Sequence, residues 1–207
     1  MEIITQNKET QDNITPALAL EMLKQGNGRF VNNSMLNRNF YEQIEATTEG
    51  QWPFAAILSC IDSRVPTETI FDQGIGDVFN ARVAGNIINP DVLGSLEYAC
   101  KVAGSKLVVV LGHTGCGAVK GACDNVELGN ITGLLAHVKP AINATEEQGD
   151  RSSSNASFVS KVIDKNVELM IERIKDESPI LKEMAEQHEI AIVGAIYDVA
   201  SGNITWS

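Results

Sequence analysis

Two short apolar runs end abruptly against polar motifs, and this limits the folds open to the chain. Phe54-Ala-Ala-Ile-Leu-Ser59 leads directly into Cys60-Ile-Asp-Ser-Arg64. Lys106-Leu-Val-Val-Val-Leu111 leads directly into Gly112-His-Thr-Gly-Cys-Gly117. Short, almost wholly apolar runs read as strands covered on both faces, as in a parallel sheet. Asp77–Val83 and Ile190–Ile196 supply two further strand candidates. Helical patterns lie between them, over Pro90–Ala103, Ala118–Cys123, Ile131–Glu147, Ser157–Asp176 and Ile180–His188. Strands alternating with helices predict an α/β fold with four parallel strands flanked by helices. The turn signal Ser201-Gly-Asn203 would return Ile204–Trp206 as an antiparallel edge strand.

The first 50 residues read as an N-terminal helical arm. Thr15-Pro16 supplies an N-cap and first helical residue, and Leu18, Met22 and Leu23 follow at helical spacing. Gly26–Asn33 should end that helix or lead to another turn, with more helix near Phe40–Glu45. Left alone, Leu18, Met22, Leu23 and Phe30 would be exposed, so the arm is expected to pack on a neighbouring subunit. The 207 residues suffice for a single domain, with residues 51–207 as its core.

Composition excludes several function classes. The net charge of −11 argues against nucleic acid or an anionic membrane surface as partner. No apolar run is long enough to cross a bilayer. Met1–Asn13 lacks the apolar core of a signal peptide, which suggests a cytoplasmic location, or a periplasmic one if a signal was removed. Four cysteines, at 60, 100, 116 and 123, do not make a disulfide framework.

The polar motifs carry the chemistry. In an open parallel sheet, loops at the carboxyl ends of strands line one crevice. Cys60, His113 and Cys116 should therefore meet although they come from separate loops. Two thiolates and an imidazole suit zinc, and three protein ligands leave a fourth position for water, the pattern of a catalytic site. Arg64, two residues from Asp62, can hold its carboxylate bidentately so that it orients that water. Asp62 could alternatively take the fourth position itself. The other tempting residues read blandly: His137 and His188 sit in or near helices, Cys100 and Cys123 pack in the core, and Gly74-x-Gly76 lacks the context of a dinucleotide loop.

The Cys-x-Asp-Ser-Arg and His-x-x-Cys-Gly pair resembles the signature of β-carbonic anhydrases. The likeness continues through Phe71-Asp72, Gly76–Phe79, Arg82-Val-Ala-Gly-Asn86, Ser95–Ala99, Gly194–Asp198 and, near the start, Gly26-Asn-x-Arg-Phe30. It implies a zinc enzyme with one ion per subunit that hydrates carbon dioxide reversibly to bicarbonate and a proton, through hydroxide on the metal. Cys60, His113 and Cys116 match the zinc ligands, and Asp62 with Arg64 matches the catalytic dyad. Gln51 matches a glutamine that reaches a substrate oxygen. Phe79 and Tyr98 match apolar walls shared across a dimer interface, and Ala84 and Gly85 fall in the substrate pocket. Members that bind bicarbonate in a regulatory pocket carry tryptophan where this chain has Ile57, so the open site is favoured. The resemblance also implies a homodimer or homotetramer. Two rival readings are the same scaffold hydrolysing carbon disulfide or carbonyl sulfide, and a non-catalytic zinc-stabilised binding module.

Overall fold

The computed structural model describes residues 5–207. The chain runs through α1 (Lys8–Asp12), α2 (Pro16–Val31), α3 (Phe40–Ala46), β1 (Ala55–Ser59), α4 (Thr67–Ile70), β2 (Val78–Arg82), α5 (Pro90–Glu97) and β3 (Leu107–His113). It continues through α6 (Gly117–Cys123), α7 (Gly129–Ala136), α8 (Lys139–Ala144), α9 (Ala156–Glu177), α10 (Pro179–Glu186), β4 (Ala191–Tyr197) and β5 (Ile204–Trp206). The strands form one sheet in the order β2-β1-β3-β4-β5. All neighbours are parallel except β5, which runs antiparallel to β4. This is the expected four-plus-one arrangement.

Strand alternation builds a core on each face. Ala56, Leu58 and Cys60 point into a cluster with Val108, Val110 and the buried side of α9. Ala55 and Ile57 point the other way, with Leu107, Val109, Leu111 and residues of α2. β1 and β3 are buried along their whole length, which explains their lack of polar alternation. α9 packs close to the sheet because position 112 is glycine. A Cβ there would lie 2.8 Å from both Val167 and Ile196 side-chain atoms.

Three expectations need correction. The helix anticipated over Ile131–Glu147 is two, α7 and α8, separated at His137-Val138. Pro140 lacks an N–H and disfavours helix in the residue before it, so it sits in the opening turn of a new helix. The Pro90–Ala103 helix becomes a wider π turn from Tyr98 to Val102. α2 ends at Val31, inside the expected Gly26–Asn33 segment, and is capped at the expected Thr15, whose hydroxyl oxygen accepts from the Leu18 N–H. Finally, Leu23 is not exposed in the single chain: with Ala19 it is fully buried against the sheet, while Leu18 stays exposed. The arm is also tied down ionically. The carboxylate of Asp72, fully buried, takes the guanidinium groups of both Arg29 and Arg38, together with the Leu36 N–H at 3.2 Å.

Candidate metal centre

The sheet register brings the two polar motifs together. Ser59 pairs with Leu111, so Cys60 leaves β1 one residue beyond that level and His113 ends β3 two residues beyond it. His113 is thus the last residue of the strand and not part of the loop after it. The chain then turns through Gly115, and Cys116 becomes the N-cap of α6. The Sγ atoms of Cys60 and Cys116 lie 4.0 Å apart. One ligand atom from each of Cys60, His113 and Cys116 fits within a 4.8 Å triangle. All three residues are buried, at 4%, 0% and 1% exposure.

The imidazole is oriented for ligation. His113 Nδ1 lies 3.0 Å from the Thr114 carbonyl oxygen, which can only accept, so Nδ1 carries the proton. Nε2 then holds a lone pair, and it is buried with no hydrogen-bond partner. A buried polar atom without a partner is costly, and a cation between it and two sulfurs removes that cost. The thiols fit the same purpose. The Cys116 thiol, then the imidazole and the Gly85 N–H, hold Cys60 well below the usual thiol range against the opposing effect of burial. Cys116 is pushed up by the same hydrogen bond, by burial and by the charge on Cys60. Ionising Cys116 beside a charged Cys60 needs a positive charge between them. By contrast, burial pushes the Cys100 thiol up to about 12, and Cys123 is also raised by burial. Both pack in the core as expected.

Asp62 stands at the edge of the triangle, its Oδ2 3.9 Å from His113 Nε2. Arg64 holds the carboxylate through its backbone N–H (3.0 Å), Nε (2.9 Å) and Nη2 (2.7 Å). Those bonds, foremost the side-chain ones, keep the Asp62 carboxyl far below the ordinary carboxylate range. Ala84 and Gly85 also lie here: the Gly85 N–H donates to Cys60 Sγ at 3.4 Å. Gly85 adopts a left-handed conformation at φ 74°, which costs an L side chain about 1–2 kcal/mol.

Gln51, Phe79 and Tyr98 are elsewhere in the chain. Phe79 pairs with Ala56, four residues before Cys60. At about 3.3 Å per residue this sets it roughly 13 Å back along the strand. The Phe79 and Tyr98 rings meet edge to face with centroids 6.2 Å apart, and they line a cavity of about 660 Å³ with Ala56 and Leu96. Tyr98 continues into a second cleft of about 560 Å³ shared with Gln51, Trp52 and Val102. One chain therefore carries two separate constellations: the sulfur–imidazole triangle at the carboxyl edge of the sheet, and an apolar cleft with an amide near the amino edge. Ile57 is fully buried in the core on the face opposite Cys60.

Two further contributors have roles that the sequence motifs do not assign. Arg82 donates to the carbonyls of Cys60 (3.1 Å) and Asp62 (2.7 Å), pinning the loop between them. Asp198 accepts from the Thr114 hydroxyl at 3.0 Å, which steadies the residue whose carbonyl holds His113. Arg82 ends β2, and Asp198 follows the end of β4. The rule that placed Cys60 and His113 at one sheet edge applies equally to both.

Comparison with known proteins places this architecture. Residues 55–204 match the family model described as carbonic anhydrase. The chain is 35% identical over 196 residues to carbonic anhydrase 2 of Mycobacterium tuberculosis, covering 92% of each. It is 34% identical over 198 residues to a carbonic anhydrase of Mycolicibacterium smegmatis, covering 93% of each. Among solved structures, the β-carbonic anhydrase CafA of Aspergillus fumigatus superposes with a TM-score of 0.69 at 27% identity, covering 92% of this chain and 89% of that one. A tetrameric β-carbonic anhydrase of Sordaria macrospora gives 0.67 at 25% identity, covering 92% and 94%. The chain belongs to the β-carbonic anhydrase family.

Proposed function

We propose that this protein hydrates carbon dioxide reversibly to bicarbonate and a proton, with one zinc ion per subunit held by Cys60, His113 and Cys116. The observation that carries this reading is the buried triangle itself: two sulfurs and a partnerless imidazole nitrogen within 4.8 Å, beside a carboxylate locked by arginine. Bound there, zinc would supply the Lewis acidity that makes a water nucleophilic near neutral pH.

The chain's own residues do the rest. Thr114 fixes the tautomer of His113. Arg64 keeps Asp62 ionised and aimed, so that its carboxylate accepts a hydrogen bond from the attacking water and directs that water's lone pair at the substrate. Carbon dioxide is linear and apolar and suits a pocket with few polar groups. Ala84 and Gly85 supply the side nearest Cys60. Gln51, Phe79 and Tyr98 come from a second copy of the chain, with the Gln51 amide donating to a substrate oxygen as charge develops there. A homodimer is thus the smallest complete unit, and a tetramer built as a dimer of dimers is compatible with it.

Stopped-flow carbon dioxide hydration by the zinc-loaded protein tests the reading. Turnover should fall about 10²–10⁴-fold in Asp62→Asn, which keeps the shape of the side chain but removes the acceptor charge. A folded, zinc-loaded wild type that does not accelerate hydration, or one that instead hydrolyses carbonyl sulfide, would overturn it.

A further inference from the structure

One buried polar residue sits in an otherwise apolar stripe. Along α9, Phe158, Val162, Ile163, Val167 and Met170 are buried at helical spacing, and Asn166 falls among them at 1% exposure. Burying an amide without a partner costs roughly 1–3 kcal/mol, so an apolar residue would serve packing better. The Asn166 Nδ2 has a partner 81 positions away: it donates to the Gly85 carbonyl oxygen at 3.0 Å. The donor assignment is unambiguous, because a carbonyl only accepts. Gly85 in turn donates its N–H to Cys60 Sγ at 3.4 Å. One turn further along α9, Met170 Sδ accepts the Ile88 N–H at 3.3 Å. The helix therefore grips both ends of the 85–88 segment. It reaches that position because Gly112, next to His113, leaves room for Val167.

An N–H bonded to a thiolate draws charge from the sulfur and fixes its lone pairs. Such supporting contacts tune a metal site as its direct ligands do. We infer that Asn166 is a positioning residue for the metal centre: by holding the Gly85 carbonyl, it keeps the Gly85 N–H on the Cys60 sulfur and sets the charge and direction of that ligand. The inference rests on the reading that Cys60, His113 and Cys116 hold a divalent metal.

Two measurements on the wild-type holoprotein need no substitution. After ¹¹³Cd exchange, the Gly85 amide proton should show scalar coupling to cadmium through the Cys60 sulfur. The Asn166 side-chain nitrogen should show coupling to the Gly85 carbonyl carbon. Absence of either coupling overturns the inference. Asn166→Leu, which continues the apolar stripe, should then raise the zinc dissociation constant about 10–100-fold in chelator competition. It should also shift the sulfur-to-cobalt charge-transfer band of the Co(II)-loaded protein and weaken the Gly85–cadmium coupling. Val162→Ala, a destabilising control on the same helix, should lower the melting temperature and leave the band in place. A wild type that takes up neither zinc nor cadmium defeats the metal reading itself. A wild type that binds one metal, beside an Asn166→Leu protein within twofold in affinity and unchanged in its band, defeats only the role given to Asn166.

Discussion

Asp72 shows how a single buried charge can secure a large part of the chain. Its side chain is fully buried and holds Arg38, itself only 6% exposed, together with Arg29. Removing one partner of such a group leaves the other charge buried and uncompensated, at a cost of about 3–5 kcal/mol. Asp72→Ala should therefore lower the urea midpoint by that equivalent, with the metal-site residues still in place. The pH dependence follows from the direction of the shift. Burial raises the Asp72 carboxyl, but the two guanidinium groups and the Leu36 N–H outweigh it and bring it below its usual value. A carboxyl lowered in the folded state contributes stability above its unfolded pKa of about 3.9 and loses it as pH falls through the lower folded value. The gap between wild type and Asp72→Ala should thus be full at pH 6 and shrink below about pH 4 in urea titrations. A gap independent of pH would contradict the ion-pair account. Gly85 is the other residue under tight constraint. Gly85→Ala should cost about 1–2 kcal/mol from its left-handed backbone alone, read by denaturant titration.

At the level of elements, the site depends on where strands end, and this is why so much of it could be read from the sequence. β1 and β3 are wholly buried, so their apolar runs stop where the sheet stops, and the first polar residues mark the crevice. The triangle of Cys60, His113 and Cys116 and the Asp62–Arg64 pair follow from that rule, and the structure brings them together. Legibility failed where long-range packing decides. Asn166 lies in a helix whose pattern is otherwise apolar, and no local signal tells that its amide meets Gly85. Pro140 marks the break between α7 and α8, but the apolar periodicity around it reads as one helix. Leu23 is covered by the sheet face of its own chain, a contact that spacing within α2 cannot reveal. Most side chains of both core clusters lie outside the triangle, so chelation should leave the chain folded. Far-ultraviolet circular dichroism should be unchanged on metal removal, and activity should return when zinc is restored.

For the whole molecule, the main consequence is that the two constellations of one chain are too far apart to act on one small substrate. In the proposed dimer, the apolar cleft around Phe79 and Tyr98 works with the sulfur–imidazole triangle of the other copy. Val102, 70% exposed beside Gln51 and Tyr98, reports on this without touching the triangle. In the proposed dimer, Val102→Glu would place a carboxylate against the partner and should drive the assembly to monomers in sedimentation velocity, with hydration activity lost in parallel. A monomeric Val102→Glu protein with full turnover would show that one chain suffices. Among the described residues no helix is long and apolar enough to cross a membrane.

The most direct test of the central claim is zinc-edge X-ray absorption on the purified protein, with metal content measured on the same sample. The account predicts one zinc per chain, with two sulfur neighbours near 2.3 Å and nitrogen or oxygen neighbours near 2.0–2.1 Å, and with one sulfur lost in Cys60→Ser. Substoichiometric metal, or a ligand shell unchanged in Cys60→Ser, would contradict it.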